Sequence, residues 1–213
     1  MKKVESKCFD WDNITIKKYY EIKDILDDKD MDDITKNVKI VSIITDKDEE
    51  EIWNMELTEV GDYVDKLKFL NKFDIPKRPD MKITLPHYNI EVMKDTSKIN
   101  VAQYVDFQSF VVLPLREGID KILSVFLIPK GKTYNTDYDI LDLQKEIREN
   151  LSFRIAQGLL GFFLRGHIRS LIHFLDYSER EIRKEKNQEL MAQMKMKRME
   201  VEQKLKDLIH LIG

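Results

Sequence analysis

The chain has 213 residues, with 36 Lys or Arg against 39 Asp or Glu, for a formal net charge of −3. Charged residues reach 35%, above the roughly 25% of an average soluble domain, while 42% are hydrophobic and Gly and Pro number only 7 and 5. This balance excludes a wholly disordered chain, a collagen-like repeat, a disulfide scaffold and a strongly basic nucleic-acid binder, and it points to a mainly α fold of amphipathic helices.

Residues 1–13, MKKVESKCFDWDN, begin basic with no apolar run behind them, and read as an N-terminal arm, not a signal peptide. Cys8 is the single cysteine, which leaves no internal disulfide and suits a reducing compartment. Thr15 opens a helical stripe of Ile16, Tyr19, Tyr20 or Ile22, Ile25 and Leu26. The Asp-rich stretch 27–33 breaks it, and a second helix carries Ile34, Val38, Val41 and Ile44. Asp46 with Glu49 has capping-box spacing ahead of a short helix through Ile52 and Trp53. Thr58 is placed to cap a fourth, with Val60, Tyr63, Val64, Leu67 and Leu70 on one face. Together these form a first helical unit over 14–73.

Residues 74–97 change character: Pro76, Pro79 and Pro86 appear, and Met81, Ile83 and Leu85, then Tyr88, Ile90 and Val92, alternate with polar neighbours. Period-two patterning either side of Pro86-His87 predicts a small hairpin or an extended linker. Helices resume at Asn100, whose Gln103 gives a second capping-box spacing, and a second unit spans 98–176. At an offset of about 85 residues, Ile14-Thr15-Ile16 falls on Ile99-Asn100-Val101, and Tyr19, Glu21 and Ile22 fall on Tyr104, Asp106 and Phe107. Val38, Ile40, Val41 and Ile43 then fall on Leu123, Val125, Phe126 and Ile128. One register held over about 30 residues predicts a duplicated helix-turn-helix with loops of equal length.

The second copy ends at Pro129-Lys130-Gly131, and a helix over about 136–149 follows. Asn150 or Ser152 then caps a long run in which residues 170–212 contain neither Gly nor Pro. Arg154, Arg165 and Arg169 interrupt the greasy stretch 151–175, so no membrane span is expected. Residues 177–213 mix both signs of charge, with Leu190, Met194, Val201, Leu205, Leu208 and Ile212 spaced by three, four or seven. That pattern predicts a long C-terminal helix with an imperfect heptad seam, packed on a partner or on another copy of the chain.

The chemistry-bearing residues form no recognised constellation. His87, His167, His173 and His210 make no pair at metal-ligand helical spacing, and no phosphate-cradling glycine motif or nucleophile elbow occurs. No catalytic residue, cofactor or metal is expected, and the chain reads as a non-enzyme. Basic residues such as Arg148, Arg154, Lys195, Lys197 and Arg198 are countered by Glu179, Glu181, Glu185, Glu189, Glu200 and Glu202, so nucleic-acid contact is expected only as incidental. Protein interaction is expected instead at Phe162 and Phe163, which follow the helix-contact glycines Gly158 and Gly161, and on the tail at Leu190, Met191, Met194, Val201, Leu205 and Leu208. Met191, Met194, Met196 and Met199 either adapt to a partner or fill a coiled-coil seam.

The run ITIKKYYEI at 14–22, the run VKIVSIITDKDEEEIWNMEL at 38–57 and the echo INVAQYVDF at 99–107 resemble the small helical, tail-assembly-chaperone-like proteins of tailed bacteriophages. The Lys-, Ile- and Asp-rich composition is similar to that of virion assembly proteins of crAss-like phages. The resemblance covers residues 14–130. It implies a non-enzymatic virion assembly or structural protein of the tail or head–tail connector. Such a protein binds other virion proteins through helical surfaces and is a homo- or hetero-oligomer. It implies the host cytoplasm during assembly as the location, with the virion as a further one, and it brings no catalytic residues. The long C-terminal helix departs from a minimal chaperone and leaves open a ring or connector subunit retained in the particle. A host-directed regulatory binding protein and an enzyme with an unrecognised site stand as alternatives of other classes.

Overall fold

Side chains that satisfy first-turn amides set where the helices begin. In the computed structural model, which describes residues 9–74, 80–184, 190, 192–200 and 203, the chain is mainly helical. Thr15 accepts from the Lys18 amide to start α1 (Ile16–Asp27), and Asp32 accepts from Ile34 and Thr35 to start α2 (Asp33–Thr45). Asp46 does not open the next helix. It closes α2 in the left-handed region at φ 54°, held by Lys18 at 2.7 Å, and α3 (Glu49–Trp53) starts after Asp48 instead. Thr58 likewise lies inside the first turn of α4 (Leu57–Lys66), which starts after Glu56 and runs into a 3-10 turn, Leu67–Asn71. Ile14, Ile22, Val38, Ile40, Val41, Ile44, Ile52, Tyr63 and Leu67 close a first core among these helices, while the predicted stripe members Leu26 and Ile34 face outward.

Of the two readings of the Pro-rich stretch, the hairpin is the one found. β1 (Lys82–Thr84) pairs antiparallel with β2 (Asn89–Val92), and Leu85 and Tyr88 exchange both backbone hydrogen bonds around Pro86-His87. The alternation sends Ile83, Leu85, Ile90 and Val92 inward. A third strand was not foreseen. Helical periodicity runs on to Ile128, yet α6 (Leu115–Phe126) stops at Phe126 and the chain passes directly into β3 (Leu127–Pro129), antiparallel to β2. Pro129 supplies the reason: a residue before proline is pushed out of the helical region, and Pro129 itself donates no amide at this sheet edge.

α5 (Val101–Val111) carries the predicted capping box with both halves formed, Asn100 to the Gln103 amide at 2.9 Å and Gln103 back to the Asn100 amide at 3.0 Å. α7 (Ile140–Asn150) is capped by Asp139, and Ser152, not Asn150, caps α8 (Phe153–Lys184) through the Ile155 amide. The two overlaid helix pairs agree in part. The second helices share a burial register, with Val38, Ile40 and Val41 buried like Leu123, Val125 and Phe126. Their loops, however, differ: 28–32 in one pair and 112–114 in the other, so the expected equal length does not hold. The first helices also face differently, because Ile16 is buried where Val101 is exposed.

α1, the sheet and α5 to α8 enclose a second, larger core around Phe107, Phe126 and Phe163, and Trp11 and Tyr19 touch both cores. The Ile16 amide donates to Leu151 O at 3.1 Å and the Phe153 amide to Ile14 O at 2.7 Å, so the starts of α1 and α8 cross as a short antiparallel bridge. Arg148 holds buried Asp120 through two bonds and also donates to Arg116 O. Arg116 in turn pairs with Asp24 of α1.

α8 extends about 48 Å at 1.5 Å per residue. The expected single C-terminal helix over 177–213 is modified by one contact. Arg198, in the helical segment 192–200, donates to Asp176 at 2.9 Å, whereas 22 residues of one straight helix span about 33 Å. The segment therefore lies alongside α8 and does not prolong it. α8 comes close to the 3-10 turn at Thr96 through Gly166, where an added Cβ would stand 2.7 Å from Thr96 Oγ1. Gly166→Ala is expected to lower unfolding free energy by about 1–3 kcal/mol in chemical denaturation, and Thr96→Ala in the same chain to recover most of it. A double variant no more stable than the single would show that the close approach is not the cause.

Candidate functional site

Taken at 100° per residue, Val101, Tyr104, Val105, Gln108 and Val112 fall within roughly a 100° sector of α5. All five are exposed, Val101 at 80% and Val112 at 78%. The opposite side is apolar as well, with Phe107 fully buried and Phe110 and Val111 packed on the larger core. A helix apolar on two opposite sides is ordinarily covered on both, so the outward stripe is the surface that the rest of the fold leaves unexplained.

Several contacts fix it in place. Gln103 donates from its buried amide to Val125 O at 2.7 Å, tying α5 to α6. Gly118 allows the turn between them to close, since a Cβ there would stand 3.0 Å from Phe110 O. Phe107 meets Phe126 edge-on at 5.6 Å, and the His167 ring of α8 lies 4.5 Å from Phe107 and 6.3 Å from Tyr104. Burial holds the His167 imidazole below its usual pKa, so it is a neutral ring. Between Lys98 and Arg116 the single charge is Asp106. It accepts from Tyr134 Oη at 2.8 Å, which together with burial pushes that phenol up. The stripe is therefore uncharged, and apolar at every position but Gln108.

The residues expected to contact partners are distributed differently. Phe163 is fully buried and stacks on Phe126 at 4.4 Å, so it serves this chain's own core and is not a partner surface. Phe162 is half-buried beside it. A Cβ on Gly161 would meet only the Arg165 guanidinium, so the close helix approach lies at Gly166 and not there. Leu190 is exposed and Met194 half-buried, while Met191, Val201, Leu205 and Leu208 lie outside the described residues. Phe162 and Phe163 do not join the tail residues: Asp176, level with Arg198, is about 20 Å further along α8. The α5 stripe was missed because Val101 and Tyr104 read as echoes of Ile16 and Tyr19 on α1. The available signal was the excess of apolar residues between Ile99 and Leu115 over what one buried face needs.

Two grooves flank the sheet. One of 680 Å³ is lined by Lys94, Lys98, Lys130 and Lys132 together with Met81 and Met93. The other, of 480 Å³, lies where His87 pairs with Glu146 beside Tyr138. Among the described residues no group of three or more His, Cys, Asp or Glu is placed to hold a metal ion, and no helix is long and apolar enough to cross a membrane. No protein-family model matches the chain, and neither does any curated protein or solved structure.

Two outcomes follow for stability. The pair Val105→Asp and Val112→Asp is expected to change unfolding free energy by no more than about 0.5 kcal/mol each, against about 3–5 kcal/mol lost in Phe163→Ala, by urea titration. For His167 the lowered folded pKa sets the sign. Its contribution is complete above the unfolded imidazole value of about 6.5 and is lost as pH falls below that toward the folded value. Melting temperature measured from about pH 7 to about pH 5 is expected to fall, and less steeply in His167→Gln; equal slopes would remove His167 from the account.

Proposed function

We propose that the chain is a non-enzymatic assembly or structural protein of a tailed-bacteriophage virion, acting at the tail or head–tail connector. The outward stripe of α5 is where another virion protein docks. The observation that carries this reading is an exposed, uncharged apolar strip about 16 Å long on a helix that the rest of the fold holds rigidly. Its chemistry matches the apolar face of a partner helix laid across it, with anchors at Val101, Val105 and Val112 and Tyr104 at the rim. The phage setting is supported by the resemblance of residues 14–130 to tail-assembly-chaperone-like proteins. The host cytoplasm during assembly is the corresponding location, and a ring or connector subunit kept in the particle is the same reading with a permanent partner.

The test is co-expression with the proteins encoded by neighbouring genes, followed by co-purification. One of them is expected to travel with the chain at both about 0.1 M and about 0.5 M salt, because an uncharged strip is not screened. Val105→Asp with Val112→Asp is expected to release it without altering the melting curve. Failure of every neighbour to bind, or undiminished binding by that variant, would overturn the reading.

A further inference from the structure

We infer that residues 1–8 of this chain dock on the acidic α3–α4 surface of the same chain, as a removable cover over Leu57 and its neighbours. The inference does not rest on the proposed function, since it uses no residue of α5.

Residues 46–65 hold nine carboxylates and one lysine. Asp46, Glu51 and Asp65 are paired with Lys18, Lys47 and Lys68. Asp48, Glu49, Glu50, Glu56, Glu59 and Asp62 are exposed and have no ion-pair partner among the described residues. Among them stand Trp53 and Leu57, both exposed, Leu57 at 86%. Ile52 and Tyr63 already fill the smaller core, so Trp53 and Leu57 have no role in closing it. The outer side of α4 is open, since a Cβ on Gly61 would meet nothing within 4 Å. Unpaired carboxylates so close in sequence repel one another, and the leucine between them leaves apolar area in water. A basic segment carrying an apolar residue answers both.

The residues ahead of Phe9 have that character. Residues 1–8, MKKVESKC, hold Lys2, Lys3 and Lys7 against Glu5 alone, with Val4 between the lysines. They lead into Phe9, the first described residue, which is already fixed on α4. Its ring lies 5.8 Å from that of Tyr63, and the Lys66 ammonium stands 5.7 Å from its centre. Glu59 is one turn before Tyr63 and Asp62 one turn before Lys66, so the arm departs beside two of the unpaired carboxylates. Eight extended residues span up to about 26–29 Å. α4 is about 15 Å long, so the arm can run its whole length. Lys7 then reaches Glu59 or Asp62, Val4 reaches Leu57 in the first turn, and Lys2 and Lys3 reach Glu56 and the start of α3.

The short tether selects the occupant. Held at Phe9, the arm meets its own surface at an effective concentration on the order of millimolar. An exchange of arms between two copies uses the same charges and lacks that advantage.

Nitrogen-15 relaxation of the full chain tests this. At about 50 mM salt the amide order parameters of residues 2–7 are expected near the rigid value of about 0.85, and at about 0.5 M salt below about 0.6. Glu56→Lys with Glu59→Lys and Asp62→Lys is expected to free the arm at low salt. So is Lys2→Glu with Lys3→Glu and Lys7→Glu, which changes no core residue. Both sets joined in one chain are expected to restore the order. Val105→Asp with Val112→Asp is expected to leave the arm ordered, so failure of the α5 reading and failure of this one are distinguishable. An arm mobile in the wild type at low salt, an ordered arm indifferent to either reversal, or no recovery in a combined variant that keeps the wild-type melting curve would each overturn it. Order that grows between about 20 and about 500 µM protein would assign the arm to a second copy, and overturn it as well.

Discussion

Two hydrogen bonds, from the Ile16 amide to Leu151 O and from the Phe153 amide to Ile14 O, organise the molecule. The first amides of a helix have no partner within it. Here the first amide of α1 is satisfied by the carbonyl that precedes α8, and that of α8 by the carbonyl that precedes α1. Residues two apart in a strand share a side, so it is the turn into α1 after Thr15 that parts Ile14 from Ile16. Ile14 enters the smaller core and Ile16 the larger, with neither exposed at all. One short segment therefore belongs to both cores, and Tyr19 stacked on Phe153 at 3.5 Å seals the seam beside it.

Charge is arranged around that seam in a graded way. At the buried end, Asp120 is met by Arg148, which also satisfies a backbone carbonyl, so the ion pair is fully bonded. At the surface, Arg116 and Asp24 join α6 to α1, and the guanidinium holds the Asp24 carboxyl below its usual range. Further out the acids gather on α3–α4, whereas residues 177–213 mix both signs of charge. The near-zero total of −3 conceals a concentration of carboxylates at residues 46–65.

The sequence was most legible where a local rule acts alone. Thr15 and Asn100 are helix caps whatever surrounds them, and the Ile83, Leu85, Ile90 and Val92 alternation marks a hairpin with one inward face. It was least legible where tertiary pairing decides. Ile128 fits a helical period, and only Pro129 beside a waiting β2 edge turns it into strand. Phe162 and Phe163 look alike in sequence, yet the stacking of Phe163 on Phe126 sends one inward and leaves the other at the margin. The α5 stripe was hidden for a related reason: periodicity finds a buried face, and α5 has apolar residues on both.

The passage from α6 to β3 without an intervening loop carries a mechanical consequence. Leu127 is both the residue that ends the helix and the first residue of the strand. α5 is fastened to α6 by Gln103 and the Gly118 turn, and α6 continues as covalent backbone into the sheet edge. The outward valines of α5 and the lysine-lined groove are thus joined by a packed turn, a helix and a strand, with no loop between α6 and the sheet.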